Sequence, residues 1–509
     1  MASFISAAEA VELIQNGQTI ASSGFGFAAA PEEILAEMGR AFRQKGRPRD
    51  LTLVFSSAQG NSKDLGLDHL AQPGLLKRVV GGFYGVTHQL LDLVSSNHTE
   101  GYNLPQGQIT RLYHAIASRQ PGHLTKVGMG TFIDPRLEGG KMSASAREDL
   151  VELVELSGEQ WLLYRSFPIH VALVRATTAD ERGNLTMERE AVRLEGLPMA
   201  AAAKAHGGVV IAQVERLASA GSLHPAEVVL PGYMVDAVVL AQEPTGGHMQ
   251  TVNRYFDPTL TGEVNSPMSR VPPLDPGPRR IIARRASREL APGSVVNLGT
   301  GIPEGVGADL GERGATNEVF LTVESGVSGG IAARQPEFGV ATNPEAIIRH
   351  DDQFLFYNAG GIDVTCLGFA QIDGQGNVNV SRFGDKIVGC GGFIDIAQNA
   401  KKVVFCGTFN SGGLEVAMKP DGIAIKREGR HQKFVEQVEQ ITFSGEYARQ
   451  TGQTVLVVTE RCVLKLTGGG FELIEIAQGV DLQQNILDLI PFTVRLSPGL
   501  RQMDRACFA

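Results

Sequence analysis

Short β-branched runs alternate with longer amphipathic stretches along almost the whole chain. LTLVF from Leu51, VVIAQV from Val209, KVVFCGTF from Lys402 and TVLVVTE from Thr454 are apolar at nearly every position. Strands covered on both faces read this way, whereas half-exposed strands alternate. Between such runs, PEEILAEMGRAFRQKG from Pro31 and PEGVGADLGERG from Pro303 have helical spacing. Each carries Pro early in the helix, where its missing N–H costs nothing. The alternation predicts an α/β architecture of open, mostly parallel sheets. The pattern lapses from Glu243 to Arg280, a stretch rich in Pro, Gly and Asn, and resumes at Ile281. The expected organisation is a lobe over 1–242, a surface-wrapping linker over 243–280 and a second lobe over 281–509.

The two lobes repeat one pattern. LLYRSFPIHVALVRATTADERGNLT from Leu162 aligns with LFYNAGGIDVTCLGFAQIDGQGNVN from Leu355. Tyr164 pairs with Tyr357, Ile169 with Ile362, Gly183 with Gly376 and Asn184 with Asn377, each at an offset of 193. Upstream, GQTIASSGFGFAAAPEEI from Gly17 echoes GSVVNLGTGIPEGV from Gly293; downstream, Val209-Val210-Ile211 echoes Val403-Val404-Phe405. Lobe one carries roughly eighty more residues than lobe two between its glycine loop and the repeat, including YNLPQGQITRLYHAI from Tyr102. An internal duplication of this kind places a shared site at the seam between related lobes.

Composition narrows the function classes. At 509 residues and 43% hydrophobic, the chain is long enough for two full cores. The net charge is −9, and the clusters Arg279-Arg280 and Arg284-Arg285 make no basic stripe, so a nucleic-acid partner is not expected. No apolar run reaches bilayer length, and MASFISAAEAVELI lacks a basic leader region, so neither a membrane partner nor a signal peptide is expected. Cys366, Cys390, Cys406, Cys462 and Cys507 form no C-x-x-C pair and read as free thiols of a reducing compartment, the cytoplasm. There is no Walker A sequence, no H-E-x-x-H and no metal-ligand spacing among the eleven histidines.

Three features carry candidate chemistry. Glu324 follows the apolar VFLTV and precedes Ser325, Gly326, Gly329 and Gly330. That is the carboxyl end of a strand in an open α/β sheet, where ligands bind; a solvated surface carboxylate is the plainer alternative. The loops SGFGFAAAP, with Gly24 and Gly26, and LGTGIPEG, with Gly299, Thr300 and Gly301, are the second feature. The first formally matches a dinucleotide fingerprint, but its recurrence in both lobes argues against that. A tight inherited turn and a helix N-terminus receiving an anion or acyl chain both stay open. Third, Gly389, Gly391 and Gly392 in IVGCGGFIDI leave backbone N–H groups for a developing oxyanion, against the simpler reading of a packing loop. Cys390 within it has no neighbouring His and reads as a structural thiol.

Together these motifs resemble the family I coenzyme A transferases, of the single-chain acetate or propionate type with fused α-like and β-like halves. The likeness covers almost the whole chain. It rests on GFGFAAAPEEI, LPQGQ, VGMGTFIDPRLEGGK, TTADERGNLTMEREA and SLHPAEVVLPG in lobe one, and on TVESGVSGG, ATNPEAI, KIVGCGGFIDIAQNA, KFVEQVEQITFSG and LIEIAQGVDL in lobe two. The resemblance implies that Glu324 is the nucleophile and that the side-chain amide of Gln106 forms one half of the oxyanion hole. The other half is the N–H of Gly391 or Gly392, and Gly299-Thr300-Gly301 lines a pantetheine channel. The nucleotide contacts do not map, and Lys386 is the one candidate.

It further implies acyl-CoA and short-chain carboxylates as partners, coenzyme A as substrate with no other cofactor or metal, and a homo-oligomer, dimer or tetramer. Three rivals remain: an acyl-CoA hydrolase on the same scaffold, a 3-oxoacid CoA-transferase using succinyl-CoA, and a non-catalytic metabolite sensor. The dicarboxylate question turns on whether a cation lies deep in the acyl pocket.

Overall fold

A computed structural model describes residues 2–267, 274–384 and 386–508. Part of the expected linker, 268–273, lies outside the described residues.

Lobe one is built on a sheet of parallel strands. In spatial order they are Ser3–Ile5, Ala237–Leu240, Val209–Ala218, Val171–Asp180, Thr19–Ser22, Leu51–Phe55, Leu76–Gly81 and Glu100–Asn103. Lobe two runs the same way through Thr454–Val458, Lys402–Cys406, Val364–Gly368, Val295–Leu298 and Phe320–Thr322. The Val171–Asp180 strand is buried along its full length, as its uninterrupted apolar and small residues require. The helices Glu32–Lys45 and Glu304–Glu312 cover these sheets, and Pro31 and Pro303 stand at their caps, one position before the first helical residue.

The duplication is visible in register. In lobe one Ile20 pairs with Val171 on one side and Leu53 on the other; in lobe two Val296 pairs with Val364 and Leu321. The turn after the central strand is reproduced atom for atom. Asp180 Oδ1 accepts from the N–H groups of Arg182 and Asn184, and Asn184 Nδ2 donates to Asp180 Oδ2 at 2.9 Å. Asp373 Oδ1 accepts from Gln375 and Asn377, and Asn377 Nδ2 donates to Asp373 Oδ2 at 3.1 Å. Each asparagine then accepts from a distant glycine, Gly232 or Gly445. Asp373→Ala removes the charged acceptor from this turn, at a cost of roughly 1.5–3 kcal/mol. The expected result is an earlier thermal transition by calorimetry; an unchanged profile would show that the turn contributes nothing to stability.

One pairing of the repeat is not structural. Tyr164 lies in the strand Glu159–Arg165, while Tyr357 lies in the helix His350–Asn358. Both are fully buried aromatic core residues, which is what the sequence match reports. Within this stretch of the repeat the shared architecture resumes at Ile169 and Ile362. Before that point lobe one holds its extra residues: the helix Gln106–Ala117 and an antiparallel sheet of Gly122–Thr125, Glu159–Arg165 and Val151–Leu156. The linker packs at the seam, where Leu260 is buried among Phe25, Val323 and Val327.

Candidate active site

The carboxyl ends of the two parallel sheets meet around one cavity of about 270 Å³. Lobe one lines it with Phe25 and Gly26 after the Thr19–Ser22 strand, Ser57 and Ala58 after Leu51–Phe55, Phe83 after Leu76–Gly81, and Gln106 after Glu100–Asn103. Lobe two contributes Asn297, Gly299 and Thr300, then Glu324, then Leu367 and Gly368, and the Gly389–Gly392 loop. Strand ends are where an open α/β sheet exposes backbone groups and side chains together.

Glu324 sits in a tight turn directly after the Phe320–Thr322 strand. Gly326 closes the turn at φ +103°, and a Cβ there would meet the Ile348 carbonyl at 2.1 Å, so only glycine fits. Ser325 Oγ donates to Gly339 O at 2.6 Å and ties the turn down. Burial pushes the Glu324 carboxyl above the usual carboxylate range, against its own backbone N–H, the nearby His350 and the Asn297 side chain. By register, Ser56 of lobe one occupies the place of Glu324, each three residues past the paired Leu53 or Leu321.

Gln106 is the first residue of its helix, and lobe two grips that helix end. Gln106 N–H donates to Gly391 O at 3.0 Å. Asp395 accepts from Gly107 N–H at 3.0 Å and from Gln108 Nε2 at 2.5 Å. A carboxylate at a helix N-terminus is placed where the dipole favours it. A Cβ on Gly107 would stand 2.5 Å from both Asp395 and Phe354, which explains the glycine of LPQGQ. Burial pushes the Asp395 carboxyl up to about 7 despite these bonds. Further along the helix, His114 Nε2 lies 2.7 Å from Asp351.

The GCGG loop is held by lobe one in turn. Asn103 Nδ2 donates to Gly81 O and Gly82 O, and its Oδ1 accepts from Cys390 N–H at 2.9 Å. Gly391 N–H donates to Gly82 O at 2.7 Å and is therefore committed. Among the described residues the Gly392 N–H has no such partner, and Gly392 borders the cavity. Cys390 is buried beside Asp395, and desolvation raises its thiol far above the usual value, which keeps it protonated.

The remaining sequence candidates divide. Gly26, Gly299 and Thr300 line the cavity. Gly24 does not: a Cβ there would strike the Gln59 side chain at 2.4 Å, so its smallness serves packing. The strand end at Ser22–Gly24 leads into a turn, not directly into a helix, which removes the dinucleotide reading. Gly301 is exposed, with φ +84°, and Lys386 is exposed on the short strand Lys386–Ile387; neither borders the cavity. Sequence reasoning passed over Asn103, Glu195, Asn297, His350 and Asp395. Asn103 and Asp395 lie within or beside the quoted motifs YNLPQG and GGFIDI. His350 follows ATNPEAI by three residues, and Glu195 carried no local signal at all.

A sequence profile of the family described as Coenzyme A transferase matches residues 4–241 and 279–407. The chain belongs to the coenzyme A transferase family. Within it, the caffeate CoA-transferase of Acetobacterium woodii is 46% identical over 100% of this chain and 98% of its own length. The acetate CoA-transferase YdiF of Escherichia coli strain K12 is 40% identical over 99% of this chain and 94% of its own. Crystal structures of the YdiF acyl-CoA transferase of Escherichia coli O157:H7 superpose at TM-scores of 0.95 for the apoenzyme and 0.93 for a thioester complex with CoA. Both are 38% identical and cover 100% of this chain and 96% of that one. This coenzyme A transferase thus shares the mixed α/β, two-lobed, single-chain form of those enzymes.

Proposed function

We propose that this enzyme moves coenzyme A from a short-chain acyl-CoA to a carboxylate acceptor by ping-pong catalysis on Glu324. The carboxylate attacks the thioester carbonyl, the C–S bond breaks, and CoA leaves as thiolate from an acyl-glutamyl anhydride. The thiolate then attacks the glutamyl carbonyl, releasing the first acid as its carboxylate and leaving a glutamyl-CoA thioester. An incoming carboxylate runs the two steps in reverse. Each step passes through a tetrahedral oxyanion, for which the Gln106 amide and the Gly392 N–H serve as paired donors. Gly391, whose N–H is already bonded, is not the second donor. The steps use no metal and no redox group. The observation that carries the reading is the meeting of Glu324, Gln106 and the GCGG loop at one cavity from opposite lobes.

The cavity also supports a substrate class. Among the described residues lining it, Glu324 is the one charged side chain, and Phe25, Phe83, Val86 and Phe338 supply apolar wall. A second carboxylate on the acyl group would be buried without a counter-ion, at a cost of several kcal/mol. The acids handled are therefore monocarboxylates, which sets aside the succinyl-CoA reading.

The test is intact-protein mass after mixing the enzyme with acetyl-CoA and no acceptor, beside Glu324→Gln. The expected result is a covalent CoA adduct on the wild type alone, with release of acetate. Steady free CoA without an adduct would make the protein a hydrolase. With acceptor present, kcat/KM for acetyl-CoA or propionyl-CoA should exceed that for succinyl-CoA by about 100-fold or more; equal values would overturn the monocarboxylate assignment. Because the relatives are named for acetate and caffeate, the acceptor panel includes both.

A further inference from the structure

Behind Gln106 runs a buried hydrogen-bonded chain that crosses the seam. Gln106 Nε2 lies 2.7 Å from His350 Nε2. His350 Nδ1 lies 2.7 Å from Glu195 Oε2. Ser56 Oγ donates to the other oxygen, Glu195 Oε1. Gln106 is 2% exposed, Ser56 1%, and His350 and Glu195 not at all. The His350 ring is boxed edge-on by Phe25 at 5.9 Å and Phe354 at 5.1 Å, so it has no room to turn. Its backbone N–H is pinned to Arg193 O at 2.8 Å. Gln106, Ser56 and Glu195 belong to lobe one and His350 to lobe two.

An amide side chain has two faces that differ only in whether NH₂ or O points a given way, and its neighbours decide between them. A carboxylate accepts only. In its neutral form, His350 held against Glu195 carries its proton on Nδ1 and presents a bare Nε2. A bare ring nitrogen accepts only, so it selects the Nε2 face of Gln106 and takes one of its two amide hydrogens. We propose that Glu195 and His350 are positioning residues that fix the orientation of the Gln106 amide, leaving its second N–H for the oxyanion. Neither touches substrate; both act through Gln106. Ser56 completes the carboxylate's hydrogen bonding and keeps Glu195 from turning away.

The inference rests on Gln106 serving as an oxyanion donor, and a double-mutant cycle separates the two claims. Glu195→Gln and His350→Leu are each expected to lower kcat by about 10–100-fold, with KM for acyl-CoA changed by less than about threefold. In a Gln106→Ala background, where there is no amide left to orient, the same substitutions should lower kcat by less than about threefold. His350→Gln, which keeps a donor and an acceptor on one group, should recover much of the rate lost in His350→Leu. If the factors are the same with and without Gln106, the relay is wrong although the donor role stands. If Gln106→Ala itself keeps the wild-type kcat, both fall. Should Glu195→Gln fail to fold, the two His350 variants and their Gln106→Ala pairs carry the comparison alone.

Discussion

Glu324→Gln is expected to lose about four orders of magnitude in kcat or more, and to form no CoA adduct, while remaining folded. An amide of the same shape keeps the turn, the cavity and the oxyanion donors but has no nucleophilic oxygen. The wild-type pH profile should show the same group. Only the carboxylate attacks, and burial holds the Glu324 pKa above the ordinary range, so kcat/KM falls on the acid side at a higher pH than for a solvated glutamate. The same shift has a stability sign. A carboxyl whose folded pKa is raised contributes stability below its unfolded pKa and loses it as pH rises through the folded value. Above the unfolded value the site therefore costs the wild type stability that a neutral amide keeps. Glu324→Gln should melt at a higher temperature than wild type at about pH 7.5, with the difference gone by about pH 3.5. Calorimetry at the two pH values, run beside a CoA-transfer assay, checks both effects. A variant as active as wild type would remove Glu324 from the chemistry.

The second large effect is at Gln106. Gln106→Ala should lower kcat by about 10²–10³ and leave KM for acyl-CoA nearly unchanged, because the amide binds charge that exists only in the transition state. Alanine keeps the helix, and the backbone N–H to Gly391 O survives because it does not depend on the side chain. Rapid-quench mass spectrometry should show the glutamyl-CoA species forming at the reduced rate but reaching the wild-type yield. A rise in KM at constant kcat would instead make Gln106 a simple substrate contact.

The hydrophobic pattern revealed the architecture because doubly covered parallel strands leave an unbroken apolar record, and Val171–Asp180 is such a strand. The place of Glu324, at a strand end beside the cavity, was legible for a related reason: a charge between an apolar strand and a run of glycines has few other places to be. The support behind it was not. Asn103, Asp395 and His350 act across a seam on residues hundreds of positions away, with sequence separations of 287 for Asn103–Cys390 and 244 for Gln106–His350. No local periodicity encodes such a pairing. The Tyr164–Tyr357 match misled for the opposite reason, since two buried aromatics share chemistry without sharing an element. Whether Gly391 or Gly392 keeps a free N–H depends on the course of the backbone, which no residue pattern encodes.

The serine at position 56, standing where its twin lobe keeps Glu324, bears on ancestry. A homodimer with a two-fold axis cannot give its halves different residues, so an ancestor of that kind that used a carboxylate here would have held two identical ones on facing strand ends. Their mutual repulsion would have made each a harder ion to form and a poorer host for an incoming acid anion. Two gene copies free to diverge escape that symmetry, and joining them in one chain keeps unlike halves paired one to one. One half can then surrender its charge and turn a hydroxyl to Glu195, a division of labour closed to two identical subunits.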